Sequence, residues 1–117
     1  MPKPAEPHAS PLVEHRRYRP QPDGHQHGYH QLLFGLAGAT ELEIVGHVYR
    51  VDDHTGLIVP AGSHHEFLGL DGNLQLVADF PARSVALPAR LMARPRTFPL
   101  DGVFGSRVRA LAAWRAA

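Results

Sequence analysis

Four side chains in two short segments could together bind a metal ion. His25, His27 and Gln31 alternate along one stretch, and His65 follows the turn-forming residues 60–62 later in the chain. Alternate side chains of a β-strand share a face, so one strand would direct the first three toward the same space. If a strand beginning at His65 lies opposite, three imidazoles and one amide converge. Imidazole suits Zn, Cu, Ni and Fe, so the pattern predicts a first-row metal site.

The glutamine in this set affects which metal and which reaction we expect. Two histidines and a carboxylate with open positions are typical of non-haem Fe(II) oxygenases. Gln31 is neutral, so the set favours Zn, Ni or Cu over Fe or Mn. Two other interpretations stay open: the same residues could hydrogen-bond an organic effector directly, or they could be structural histidines.

The neighbours of these four residues divide by strand parity. Tyr29 and Leu33 share the face of Gln31 and are candidate ligand-binding residues, with ordinary core packing as the alternative. His30 and His64 should point to the opposite face. We identify no catalytic residue, because no nucleophile motif, Walker loop or dinucleotide fingerprint is present. A three-histidine zinc site can still activate water, so catalysis stays open.

The elements that must position this site have the pattern of short β-strands. Residues 29–36 are apolar on both faces, which indicates a strand covered on both sides. A hairpin pattern surrounds Gly46-His47, and further strand patterns cover residues 57–60, 65–70 and 74–80. With no helical pattern among them, these strands predict an all-β barrel or sandwich.

Length and composition allow one domain with one core. The 117 residues include no cysteine, which excludes disulfides and thiolate metal sites. No apolar run matches a membrane span or a signal peptide, so we expect a cytoplasmic protein without a membrane partner. We expect a disordered or extended leader at residues 1–14, a barrel at 15–81, and a basic linker with a C-terminal helix at 82–117. Ser106 is the candidate cap of that helix.

Charge is distributed unevenly along the chain. Residues 1–81 carry a net charge of −5 and residues 82–117 carry +6. Such a split can indicate an acidic partner or a neighbouring nucleic-acid-binding domain, and a solvated basic tail is the alternative. The strand that is apolar on both faces and the helical tail together predict a homodimer.

The first of the two segments resembles the first cupin motif. Its spacing is His-x-His, three residues, Gln31, six residues, Gly38, with glutamine where the family usually has glutamate. The second segment resembles the second motif in its spacing Pro-x-Gly-x-x-His, which ends at His65. Two positions differ from that motif: Gly69 stands at its final asparagine, and His54 stands at its first glycine. The resemblance implies a double-stranded β-helix, the cupin jelly-roll barrel, followed by a helical segment.

A closer resemblance is to the N-terminal effector-binding cupin domain of AraC-type transcription regulators. It covers residues 15–81 and is carried by the runs 25–33, 38–43 and 57–67. Residues 96–101 and the following helix resemble the connector that often forms the dimer contact in such regulators. The resemblance implies a domain that senses a metal ion or small molecule, and DNA binding through a C-terminal domain absent from these 117 residues. The alternatives are a stand-alone metal-dependent cupin enzyme (dioxygenase, isomerase or lyase) and a silent binding scaffold.

Overall fold

The computed structural model describes residues 12–83 and 88–116, except for the side chain of His25. The described part consists of nine strands and one helix, in the order β1 Leu12–Arg16, β2 Asp23–His25, β3 Tyr29–Ala37, β4 Ala39–Ile44, β5 His47–Asp52, β6 Thr55–Val59, β7 His65–Gly69, β8 Leu74–Pro81, β9 Arg96–Pro99 and α1 Gly102–Ala116. The predicted leader lies outside the described residues except for its last three positions, which belong to β1.

All strands pair antiparallel in one curled sheet. The strand order is β1-β8-β3-β6-β5-β4-β7-β2, and β9 also pairs with β6. The two halves of the sheet join where β5 meets β6, at the register pair Asp52 and Thr55. The apolar core cluster consists of Leu33, Leu42, Ile44, Val51, Leu57, Val59, Phe67 and Val77. This all-β architecture with a C-terminal helix confirms the fold class predicted from the sequence.

The central strand β3 is covered on both faces, as its apolar pattern predicts. Its odd-numbered residues from Tyr29 to Gly35 are buried, and its even-numbered ones are half-buried. On the even face, the ring of Phe34 contacts Phe98 of β9 and Phe104 of α1, with centroid distances of 5.7 and 6.2 Å. The second layer over this face is therefore supplied by the C-terminal part of the chain.

The predicted hairpin is present, but its turn lies one residue earlier than expected. Strands β4 and β5 pair from Ala39–Asp52 to Ile44–His47. The two central residues of the turn are Val45 and Gly46, with φ of 49° and 81°. Positive φ at both positions is the signature of a type I′ turn, whose twist matches that of the flanking strands.

The C-terminal part is more regular than the predicted linker. Residues 96–99 form β9, which pairs with β6, and Met92 and Leu100 are buried. The expectation that Ser106 caps the helix is wrong, because α1 begins at Gly102, directly after Asp101. An acidic residue at this end suits the positive end of the helix dipole. Among the described residues, no helix is long and apolar enough to cross a membrane.

Candidate functional site in the barrel interior

Three strands bring a small polar group into the barrel interior, beside the apolar core cluster. Tyr29 and Gln31 come from β3, His65 begins β7, and Asp79 lies in β8; each is at most 6% exposed. Gln31 and Asp79 are register partners, and Gln31 Nε2 donates a hydrogen bond of 2.9 Å to Asp79 Oδ1. The Gln31 oxygen Oε1 is also buried, and it has no hydrogen-bond partner among the described residues. A buried acceptor without a hydrogen-bond partner is a candidate ligand-binding atom.

The imidazoles of His27 and His65 come close together in this region. Their ring centroids are 5.4 Å apart, and the His27 ring stacks on Tyr29 at 4.7 Å. Nδ1 of His65 lies 3.0 Å from the carbonyl oxygen of Ser63. Because a carbonyl only accepts, Nδ1 carries the hydrogen, and Nε2 is the unprotonated nitrogen of the neutral ring, the one that could bind a metal. Metal-bound histidines are oriented in the same way, by a hydrogen bond from their other ring nitrogen.

The fourth predicted metal ligand is described only by its backbone. His25 pairs with His65 across β2 and β7, and its side chain lies outside the described part of the structure. Among the side chains that are described, no three or more His, Cys, Asp or Glu residues form a group that could hold an ion. Metal binding by His25, His27, Gln31 and His65 therefore stays a prediction.

The two candidate ligand-binding residues differ in their surroundings. Tyr29 is buried beside His27, and burial together with the nearby charge of Asp79 raises its pKa. Leu33 is fully buried and belongs to the apolar core cluster. The geometry therefore brings Tyr29 to the polar group and Leu33 to the packed core.

The two remaining histidines of the motif segments do not join this group. His30 is half-buried on the other face of β3, where its Nδ1 accepts a hydrogen bond of 2.9 Å from the Ala61 amide. This bond fixes the turn that precedes His65. His64 is exposed. Both observations agree with the strand parity of the sequence.

A cavity beside His27 adds residues that the sequence pattern did not single out. Its volume is about 270 Å³, and it is lined by Arg16, Arg17, Tyr18, Arg19, Asp23, His27 and Phe67. Tyr18 stacks on Phe67 with centroids 4.1 Å apart, and its hydroxyl is buried near the guanidinium of Arg16. Burial raises the pKa of Tyr18 to about 12, although the charge of Arg16 opposes the rise. Arg16 in turn lies 3.9 Å from Asp79.

Asn73 holds the Tyr18 segment against the sheet. Its Oδ1 accepts from the Tyr18 amide at 2.8 Å, and its Nδ2 donates to the carbonyl oxygens of Tyr18 and Leu70 at 3.0 and 2.8 Å. The backbone of Tyr18 passes so close to Gly69 that a Cβ at position 69 would lie 2.1 Å from the backbone carbonyl oxygen of Tyr18. Any side chain at position 69 would displace the segment that lines the cavity.

The available sequence signals for these missed residues were weak. The alternation of β8 places Gln75 and Asp79 on one face, but the alternation does not indicate whether that face meets the core or solvent. Both residues are buried. The run Arg16-Arg17-Tyr18-Arg19 is visible in the sequence, but the proline at position 20 ends any strand pattern that could orient it.

Comparison with solved structures shows the fold. KdgF from Halomonas sp. superposes with a TM-score of 0.56 at 21% identity, over 73% of this chain and 81% of that chain. ToxT from Vibrio cholerae strain SCE256, solved with a bound unsaturated fatty acid, superposes with a TM-score of 0.60 at 7% identity, over 97% of this chain and 48% of that chain. The protein is thus a cupin-fold domain, a jelly roll followed by a helix.

Comparison of sequences adds a relative among transcription regulators. Over 76 residues the chain is 30% identical to the uncharacterized HTH-type transcriptional regulator YobQ of Bacillus subtilis (strain 168). The aligned region covers 65% of this chain and 32% of the regulator. No family model matches the sequence. The chain spans about a third of this curated relative and about half of ToxT. Together with the fold, these findings confirm the predicted resemblance to a cupin domain related to AraC-type regulators.

Proposed function

We propose that this chain is the ligand-sensing cupin domain of an AraC-type transcription regulator. The observation that carries the proposal is the buried Gln31 oxygen, which has no partner among the described residues and lies in a barrel of regulator-like sequence. Burying such an acceptor costs free energy that a bound ligand would recover. In this role the domain would act in the cytoplasm, and DNA would be bound by a different part of the regulator.

A divalent transition metal is the ligand that the donor atoms suit best. His27 and His65 would supply nitrogen, Gln31 would supply its free oxygen, and His25 is the proposed fourth donor. The hydrogen bond from His65 to Ser63 sets the tautomer that a ligand needs. With a neutral amide in place of a carboxylate, Zn, Ni or Cu are favoured over Fe or Mn. Bound to these residues, the ion would provide positive charge and coordination sites for an organic effector.

Strand β1 offers a route from the site to the helix. At its end, Arg16 lies 3.9 Å from Asp79, which holds Gln31. Near its start, the carbonyl oxygen of Val13 accepts a hydrogen bond of 2.7 Å from Arg115 of α1. A ligand acts through such a route only if it binds two states of the domain with different affinity.

The test is metal binding to protein purified without a histidine tag. Titration with Zn, Ni and Cu, followed by elemental analysis, should give close to one ion per chain. His27→Ala and His65→Ala should each weaken binding strongly, whereas His54→Ala, which removes an exposed histidine, should not. Equal binding by all four proteins would refute the metal site.

The sensing role has a separate readout in limited proteolysis. Saturating metal should change the rate of cleavage in residues 90–96, the segment that leads from the barrel to β9. The His54→Ala protein should show the same change as the wild-type protein. Cleavage that is unchanged at full metal occupancy would contradict a sensor, even if the ion binds.

A further inference from the structure

A groove lies on the outer face of the sheet, opposite the barrel interior. Its volume is about 500 Å³, and its lining is apolar apart from Arg96. Two of its lining residues, Leu32 and Ile58, are register partners on β3 and β6. A cavity of this size is typical of small-molecule sites.

Three aromatic rings from separate elements form part of the groove. Phe98 and Phe104 lie 6.2 Å apart, and each is within 6.2 Å of Phe34. The Phe98 ring packs directly on Gly56, where a Cβ would come within 2.3 Å of it. The groove is therefore built from packed side chains of the sheet and the helix.

A second cavity joins the groove and is strongly basic. Its volume is about 820 Å³, and it shares Leu91 and Arg96 with the groove while adding Arg90 and Arg94. Among the described residues, none of these three arginines has an ion-pair partner. The buried side chain of Met92 anchors the turn that carries them, and its amide donates to the carbonyl oxygens of Pro88 and Ala89.

We propose that the groove and the arginine cavity together bind a single-chain anionic amphiphile. The alkyl chain would lie against the three rings, and the anionic head would meet Arg90, Arg94 and Arg96. Guanidinium groups pair with carboxylates in a bidentate geometry, and the apolar lining has no other charge for a head group to meet. One small molecule of this class would cover the apolar surface and neutralise the adjoining positive charge. The barrel interior is a different site, reached from the other face of the sheet.

Isothermal titration calorimetry of the whole chain with decanoate, below its micelle concentration, tests this site. Decanoate should bind with one site per chain. Acetate, which lacks the chain, and decyl maltoside, which lacks the charge, should bind about tenfold more weakly or not at all. Raising the ionic strength should weaken decanoate binding, because exposed charge pairs are screened by salt.

Matched variants locate the binding. Replacing Arg90, Arg94 and Arg96 with glutamine should weaken decanoate binding about tenfold. The same replacement of Arg83, Arg107 and Arg109 changes the net charge equally and should leave the affinity near that of the wild-type protein. Circular dichroism spectra of both variants check that each remains folded.

A second pair of variants separates the groove from general adsorption on the helix. Phe104→Ala should weaken binding, whereas Trp114→Ala, which removes an exposed ring from the same helix, should not. Equal affinities in either matched pair, or equal binding of decanoate and decyl maltoside, would overturn the proposal. Metal binding in the barrel should be unaffected by the loss of Arg90, Arg94 and Arg96, so the two proposals fail independently.

Discussion

At the scale of single residues, the structure explains why glutamine stands where cupin motifs usually have glutamate. Position 31 faces Asp79 across a register pair, and the Gln31 amide donates to the Asp79 carboxylate at 2.9 Å. A carboxylate at position 31 could not donate this bond. It would also place two buried negative charges side by side, which proteins avoid unless a proton is shared.

We therefore expect Gln31→Glu to destabilise the metal-free protein at neutral pH by about 3 kcal/mol. The pKa of the introduced carboxyl should be raised, so the loss should be largest at pH 7 and should shrink as the pH falls and one proton is shared. The double variant Q31E/D79N should recover most of the stability, because the asparagine amide can donate to the new carboxylate. Urea unfolding at several pH values measures both effects, and a Q31E protein as stable as the wild type at pH 7 would contradict this account.

The raised pKa of Tyr18, about 12, has a measurable effect on stability at high pH. Its phenol ionises near 10 when the chain is unfolded and only near 12 when it is folded. The folded state therefore holds its proton longer, and the stabilisation is present below pH 10 and lost as the pH rises from 10 toward 12. Relative to Tyr18→Phe, the free energy of unfolding of the wild-type protein should fall by about 2 kcal/mol over this interval. Parallel pH dependences of the two proteins in urea unfolding would show that Tyr18 ionises as readily in the folded state as in the unfolded state.

The residues of the site were only partly predictable, for a physical reason. Strand parity correctly places Tyr29 and Gln31 on one buried face, because parity is a local property of the chain. The expectation that the same strand also carries His25 and His27 is wrong, because β2 ends at His25 and β3 begins at Tyr29. The partner of Gln31 depends on β3 lying beside β8, a pairing that joins residues 48 positions apart. No local pattern contains that register. Asp79 and the Tyr18 segment therefore became visible only in three dimensions.

At the scale of elements, the hairpin between β4 and β5 carries an unfavourable residue. Val45 adopts φ of 49°, a conformation that β-branched residues rarely adopt. Type I′ turns strongly favour asparagine before glycine, and Gly46 already follows. Gly46 therefore predicts the position of the hairpin. The turn itself also includes Val45, a residue type that is unfavourable at this position of a type I′ turn.

Val45→Asn should raise the free energy of unfolding by about 1 kcal/mol. The side chain of Val45 is 84% exposed, so its replacement removes little buried apolar surface. Val48→Asn is the matched control, because Val48 is also exposed but lies within β5, where asparagine is disfavoured. Chemical unfolding measures the free energy of unfolding of both variants, which should rise for Val45→Asn and not for Val48→Asn. A Val45→Asn protein that is no more stable than the wild type would mean that the turn carries no strain.

Other elements could be predicted only where their pattern was complete. The strands from β3 to β8 have alternating or fully apolar runs bounded by turn residues, and each was located to within a few positions. Strand β9 has only four residues and is exposed at Arg96 and Thr97, so its sequence has no strand pattern. It forms because the edge of β6 offers a partner and because Phe98 packs on Gly56.

At the scale of the whole molecule, the helix presents two unlike faces. Gly105, Val108 and Ala112 are buried against the barrel. Val103, Leu111 and Trp114 are exposed, and Trp114 is 72% exposed. Since 3.6 residues make one turn, Leu111 and Trp114 are neighbours on the helix surface and form a short apolar stripe, whereas Arg107 separates them from Val103. An exposed tryptophan beside a leucine is a candidate contact with another protein, because aromatic side chains are enriched at protein interfaces.

We expect this stripe to pair with the same stripe of a second copy of the chain. Sedimentation velocity should show a concentration-dependent dimer, and the double variant Leu111→Gln with Trp114→Gln should shift it to monomer, because the polar side chains remove the apolar contact. Val48→Gln, which removes an exposed apolar side chain from β5, should leave the dimer intact. Thermal unfolding of the monomeric variant at low protein concentration should be close to that of the wild-type chain, since the side chains of Leu111 and Trp114 are exposed and do not belong to the buried residues of α1. A wild-type chain that stays monomeric at high concentration, or a double variant that still dimerises, would exclude the helix as the interface.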